Sequence, residues 1–123
     1  APMVEQSELP FRTLCRRYGT TLCYTPMFHA RLFLEDADYR ALQFGPHDGQ
    51  PIDRPLFVQF CANDPACFAL AASLVQDRCD AVDLNLGCPQ GIAKRGNYGS
   101  FLMDDFDLVF SLVNSVHTSC KVP

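Results

Sequence analysis

An asparagine followed three residues later by a cysteine, on a turn after a short apolar run, has the clearest capacity for chemistry in this chain. The run is Ala81-Val82-Asp83-Leu84, and it stops at Asn85-Leu86-Gly87-Cys88-Pro89-Gln90. That pattern places Cys88 on a loop at the C-terminal end of a buried strand. In parallel α/β folds these strand ends are where chemistry is done. A thiol near neutral pH is mostly protonated yet can give up its proton, so it can serve as a general acid. It can also be a nucleophile if a neighbour lowers its pKa. A nucleophile would want a histidine base, and none of His29, His47 and His117 is near Cys88 in the sequence. The acid role needs no such partner and is preferred. The plainer alternative is a turn cysteine with no function.

Three further positions carry chemical capacity. Asn85 can offer a donor and an acceptor, which suits the edge of an imide or amide; the alternative is an asparagine that bonds its own backbone in a turn. Gln59 interrupts the apolar run Pro55-Leu56-Phe57-Val58-Gln59-Phe60. A buried amide must be hydrogen-bonded, by a ligand or by neighbouring backbone. Lys94 and Arg95, with Gly96 and Gly99, follow Cys88 on a loop that could meet phosphates or simply lie in solvent.

The elements that must hold these residues alternate. Residues 1–5 open as a strand. Ser7 is expected to cap a helix with Pro10 in its first turn, Phe11, Leu14, Cys15 and Tyr18 on its inner face, and Gly19 at its end. Residues 21–25 form a second strand, closed by Pro26. Met27 to Leu34 suits a short helix, and 43–54 a loop rich in Gly and Pro. Residues 55–60 read as a parallel strand buried on both faces. Asn63-Asp64-Pro65 caps a helix that runs to about Arg78. Strand four is 80–84. The loop 85–100 includes a helical turn near Ile92–Arg95, and a last helix from Asp104/Asp105 places Leu108, Leu112, Val113 and Val116 on one face. Strands alternating with helices imply a parallel sheet with right-handed crossovers. Half of a (β/α)8 barrel fits, with a doubly wound sheet as runner-up. Neither G-x-G-x-x-G nor a P-loop occurs.

Composition sets outer limits. The 123 residues are 48% hydrophobic and 20% charged, with a net charge of −4. That suits one small domain, residues 1–123, with enough apolar residue for a core, and it argues against a nucleic-acid-binding module with a basic face. Arg12, Arg16 and Arg17 are expected to form a solvated helix face. No apolar run reaches the ~20 residues of a membrane span. Seven cysteines, an odd number without a C-x-x-C pair, argue against a disulfide framework and against zinc, and favour a reducing, intracellular compartment. Ala1-Pro2-Met3-Val4 looks like a strand in progress and Ser119–Pro123 like the approach to another. The reading therefore expects an N-terminal half-barrel truncated at both ends.

Taken in order, Ala1-Pro2-Met3-Val4, Leu22-Cys23-Tyr24-Thr25-Pro26-Met27, Pro55–Phe60, Asp83–Gln90, Ala93-Lys94-Arg95-Gly96 and Gly99-Ser100-Phe101-Leu102 resemble the flavin-dependent tRNA-dihydrouridine synthases. Within that family the chain is most similar to the eukaryotic type acting on D-loop positions 16 and 17. The specific part is N-L-G-C-P-Q followed by K-R-G. The resemblance implies an FMN-binding TIM barrel that reduces uridine to 5,6-dihydrouridine in tRNA, with NADPH as reductant. It maps the proton donor to Cys88, a uracil contact to Asn85, tRNA contacts to Lys94 and Arg95, and flavin contacts to Pro2, Met3, Val4 and Gln59. It implies no metal and no membrane, and a cytoplasmic enzyme with the nucleus as a second location. Asn97-Tyr98 departs from the small residues usual after the basic loop. Lys121 precedes Val122-Pro123 and does not match the family's V-x-x-K-I-R lysine. Rival readings are another flavin barrel acting on a pyrimidine, and a non-catalytic partial barrel that binds a partner or RNA.

Overall fold

The computed structural model of the protein describes residues 4–123. Its strands are β1 (Cys23–Tyr24), β2 (Phe28–His29), β3 (Leu56–Cys61) and β4 (Ala81–Leu84). Its helices are α1 (Leu9–Arg17), α2 (Ala30–Glu35), α3 (Ala37–Gln43), α4 (Pro65–Ser73), α5 (Gly91–Gly96) and α6 (Phe106–Ser119). All pairings are parallel: β4 lies on one edge of β3, and β1 and β2 lie on the other. Beyond β4, the Val82 N–H donates to the Pro123 carbonyl at 2.8 Å. The described sheet is open, as the half-barrel reading expects.

β1 and β2 are two pieces of one lane. Pairing runs Cys23↔Leu56 and Tyr24↔Phe57, then resumes at Phe28↔Phe60 with one residue more on this side. The reason lies in Thr25-Pro26. Pro26 has no N–H for the ladder. The Gln59 N–H donates instead to Thr25 Oγ1 at 3.1 Å, and that hydroxyl donates to the Pro26 carbonyl at 2.8 Å.

The core sits on one face of β3. Leu56, Val58 and Phe60 are fully buried. Phe60 meets Phe33 edge-on with centroids 5.3 Å apart, and Phe28 and Phe68 extend the cluster. α4 packs between α2 and α6. It starts where Asp64 accepts a bond from the Cys67 N–H at 2.7 Å, with Pro65 in its first turn. α6 starts likewise at Asp105, which accepts from the Leu108 N–H, and it buries Leu112 and Val116. Val113 lies outside that stripe, about half exposed.

The N-terminal segment departs from expectation. Val4 and Glu5 form a turn, not the end of a strand. α1 begins after Glu8, and Ser7 Oγ is buried without a partner. The face of α1 is inverted as well: Phe11, Leu14 and Tyr18 are exposed, while Arg12 is buried at 2% exposure. Arg12 is no solvated surface charge. Its Nε and Nη2 grip the buried carboxylate of Asp53 at 3.0 and 2.6 Å, and Nη2 also meets Asp48 at 2.7 Å. Arg16 follows it inward, donating to the carbonyls of Thr21, Asp53 and Pro55. A buried charge is tolerated where it is paired and bonded, and these carboxylates lie 36 and 41 residues from Arg12 along the chain.

Candidate active site at the C-terminal strand ends

The alternation of β3 divides its side chains. The face opposite the core carries Phe57 and Gln59, and Gln59 pairs in register with Asp83 of β4. Two residues beyond Asp83 comes Asn85, whose N–H still joins the ladder by donating to the Phe60 carbonyl at 2.8 Å. Gln59, Asp83 and Asn85 thus meet at one edge of the sheet. Gln59 Nε2 donates to Asp83 Oδ2 at 2.6 Å, and Asn85 Nδ2 donates to Gln59 Oε1 at 3.1 Å. Asn85 Oδ1 then accepts from both the Gly87 and Cys88 N–H groups, at 3.1 and 3.0 Å. These bonds close the tight turn that presents Cys88.

The far side of that turn is held from the following loop. The Ser100 N–H and Oγ both donate to the Cys88 carbonyl at 3.1 Å. Gly99, at φ +66°, approaches so closely that a Cβ there would lie 2.6 Å from the Cys88 carbonyl oxygen. Cys88 is therefore fixed at its backbone on both sides while its side chain remains half-buried. Nearby Cys61, at the end of β3, contrasts with it: burial pushes its thiol up to about 12, which keeps it protonated and inert.

Asn85 shows both of its sequence-level alternatives in part. It bonds its own backbone in the turn, and both lone pairs of Oδ1 are occupied. One Nδ2 hydrogen remains, so Asn85 can still donate to a carbonyl but cannot present a donor–acceptor pair. Gln59, 3% exposed, keeps one Nε2 hydrogen and one Oε1 lone pair. It lines, with Asp83, a cleft of about 610 Å³ that runs away from Cys88 toward α1, past Tyr24, Cys23, Arg12 and Phe11, and neither Asn85 nor Cys88 lines it. That volume, mostly apolar with a few convergent polar groups, is in the range of small-molecule sites.

The remaining candidates fall apart from this cluster. Lys94 and Arg95 sit exposed on α5, and among the described residues no carboxylate pairs with them. The basic turn is nevertheless tied to the strand ends: Asn63 Nδ2 donates to the Gly96 carbonyl at 2.6 Å. Tyr98 turns inward, its ring against Gly96 and edge-on to His29 at 5.5 Å. Pro2 and Met3 lie outside the described residues; Val4 is about half exposed. The sequence reading passed over Asp83, Thr25 and Ser100 as site residues, and placed Gly99 on a phosphate-meeting loop rather than against the Cys88 carbonyl. Asp83 carried a signal, a lone charge in an apolar strand two residues from Asn85.

An open parallel α/β sheet holds a backbone-clamped thiol and two buried amides at its C-terminal strand ends, the arrangement of a candidate active-site edge. The family model for dihydrouridine synthase (Dus) matches residues 1–123, and the chain belongs to that family. It is 62% identical over all 123 residues to the tRNA-dihydrouridine(16/17) synthase [NAD(P)(+)] of Saccharomyces cerevisiae, covering 29% of that protein. It is 54% identical to the Schizosaccharomyces pombe enzyme of the same name, covering 31% of it. Against the human tRNA-dihydrouridine(20a/20b) synthase [NAD(P)+]-like protein the identity is 41%, over 38% of its length. The chain thus spans about a third of the length of these relatives.

Proposed function

We propose that this chain supplies the Cys88 edge of an active site that reduces uridine to 5,6-dihydrouridine in tRNA, with FMN as cofactor and NADPH as reductant. One observation carries the reading. Cys88 is the thiol held by backbone bonds on both sides at a C-terminal strand end, next to Asn85, whose amide bonds the cleft-lining Gln59.

The spare amide capacity where Gln59 meets the cleft fits the edge of a flavin ring. Gln59 has spare donor and acceptor capacity toward the cleft, and it would hold the ring with the backbone of Pro2, Met3 and Val4. When bound, the flavin would supply hydride to C6 of the uracil ring. The protein's own part is the proton: Cys88 S–H gives it to C5 and regains one from water. Asn85, with its one free Nδ2 hydrogen, donates to a uracil carbonyl. Lys94 and Arg95 meet tRNA phosphates, a contact that makes binding weaken as salt rises.

The test is Cys88→Ala in the complete protein. General acid catalysis contributes roughly 10²–10⁴-fold, so dihydrouridine in tRNA is expected to disappear while FMN stays bound. Unchanged dihydrouridine would remove Cys88 from the chemistry, and lost flavin would make it structural. A second reading applies to residues 1–123 in isolation. Among the described residues β1 is unpaired on its outer edge, and the apolar side of α1 is exposed. The isolated chain is expected to retain flavin weakly and to turn nothing over; stoichiometric flavin absorbance on it would refute this.

A further inference from the structure

We propose that Asp83 is a positioning residue: its carboxylate fixes the orientation of the Gln59 amide, through it that of Asn85, and so holds the turn that presents Cys88. A primary amide has nearly the same shape whichever way it is turned, so packing alone does not choose between its O and N ends. Hydrogen-bond chemistry does. Gln59 and Asn85 form a chain of two such amides, each of which could flip.

Both ends of that chain are held by groups that cannot change roles. An ionised carboxylate only accepts, so the end of Gln59 facing Asp83 must be Nε2, at the observed 2.6 Å. Oε1 is then left for Asn85, which must present Nδ2 to it, at 3.1 Å. Oδ1 of Asn85 is then turned toward Gly87 and Cys88, whose backbone N–H groups only donate. Every bond points the same way, from the Cys88 turn toward the carboxylate. Bonds aligned in this way strengthen one another, and a charged acceptor makes the terminal one stronger still.

Removing the carboxylate removes the constraint. With Asp83 replaced by alanine, Gln59 Nε2 loses its partner and the amide is free to turn. A turned Gln59 presents Nε2 to Asn85, and Asn85 can accept that bond only by flipping its own Oδ1 away from the turn. Asparagine at position 83 can turn its own Oδ1 toward Gln59, so it should restore most of the arrangement. The effect on turnover rests on Cys88 being the proton donor; the effect on the turn does not.

The experiment therefore reads the turn directly, as amide hydrogen exchange at Gly87 and Cys88 in the complete protein. A bond to a charged group is typically worth enough to change an equilibrium roughly tenfold. Exchange at both amides is expected to rise about tenfold in Asp83→Ala and to return to near the starting rate in Asp83→Asn. Amides of α4 should stay unchanged. Gln59→Met, which cannot relay the bond, should reproduce the acceleration even if Asp83→Ala folds poorly. In an Asn85→Ala background, where the acceptor is already gone, Asp83→Ala should add nothing. Turnover in Asp83→Ala should fall, since Cys88 is misplaced and Asn85 is turned from the uracil carbonyl, while the phosphate contacts of Lys94 and Arg95 remain. Unchanged exchange at Gly87 and Cys88, or acceleration shared equally by α4, would overturn the proposal. If exchange responds as expected while Cys88→Ala still makes dihydrouridine, the positioning role stands and the functional reading falls.

Discussion

Two polar clusters lie at opposite ends of the same sheet, and they are built on opposite terms. At the N-terminal end of β3, Arg12 uses four of its five N–H bonds, on Asp53, Asp48 and the Ser7 carbonyl. Asp53 also accepts from the Gly49 N–H. Burial by itself would pull the Arg12 pKa down, and the bonds to Asp53 and Asp48 outweigh it and raise it. At the C-terminal end, Asp83, Gln59 and Asn85 are bonded to one another but keep capacity to spare, beside a cleft. A cluster whose charges are paired inside the fold serves mainly to hold it, even where, as at Arg12, it also walls the cleft. An unsaturated one is held in place and still has groups to give. The division matches the general one in (β/α)8 barrels, where stability concentrates at the N-terminal end of the strands and chemistry at the C-terminal end.

The contrast can be broken from either side. Arg12→Ala should have the largest effect on stability, about 3–5 kcal/mol in urea unfolding, because it strands the buried Asp53 carboxylate. Turnover per folded molecule should fall far less than in Asn85→Ala. A stable Arg12→Ala protein that has lost turnover would abolish the distinction between the clusters. Gly99→Ala comes next and should cost about 1–3 kcal/mol, since it forces a side chain into a left-handed backbone and against the Cys88 carbonyl. It should also lower turnover, which a merely local strain would not do.

Asn85→Ala should cost less in stability, about 1–2 kcal/mol for the unpaired Gln59 and turn N–H groups, and much more in turnover. Equal losses of both would mean that the C-terminal cluster is scaffold as well. The smallest effect belongs to Arg54 and Asp80, a partly exposed pair beside the Arg12 cluster. The hydrogen bond from Arg54 holds the Asp80 carboxyl below its ordinary pKa. Stability from this pair is full above the unfolded aspartate value of roughly 3.9 and is lost as pH falls through the lower folded value. Arg54→Met should therefore narrow its stability gap to the parent protein in acid, as urea midpoints across that range would show. A gap independent of pH would place the contribution of Arg54 in packing.

The elements of the C-terminal half were the most legible in the sequence. Asp64-Pro65 and Asp105 carry their own start signals, and both helices begin there. The helical turn at Ile92–Arg95 falls within α5. The N-terminal part was less so. The spacing of Phe11, Leu14 and Tyr18 identified the helix, but not which side of it faces in, because a carboxylate 41 residues away decides the burial of Arg12. Met27–Leu34 hides a strand at Phe28–His29, since its two residues are too few to show a period. α3 lacks a strong apolar stripe and starts from a cap at Asp36 that the reading did not use.

By itself the sequence determined that Cys88 sits on a turn after a strand, that a basic turn follows it, and which family carries that combination. Those are local facts, written in a few adjacent residues and their order. The tertiary structure decided which polar residues are spent and which remain available. Asn85 keeps one free hydrogen because Gln59, 26 residues away, takes the other. Gln59 is oriented by Asp83, 24 residues away across the strands. Hydrogen-bond capacity is used up by whatever the fold brings within about 3 Å, and no spacing along a chain encodes that distance.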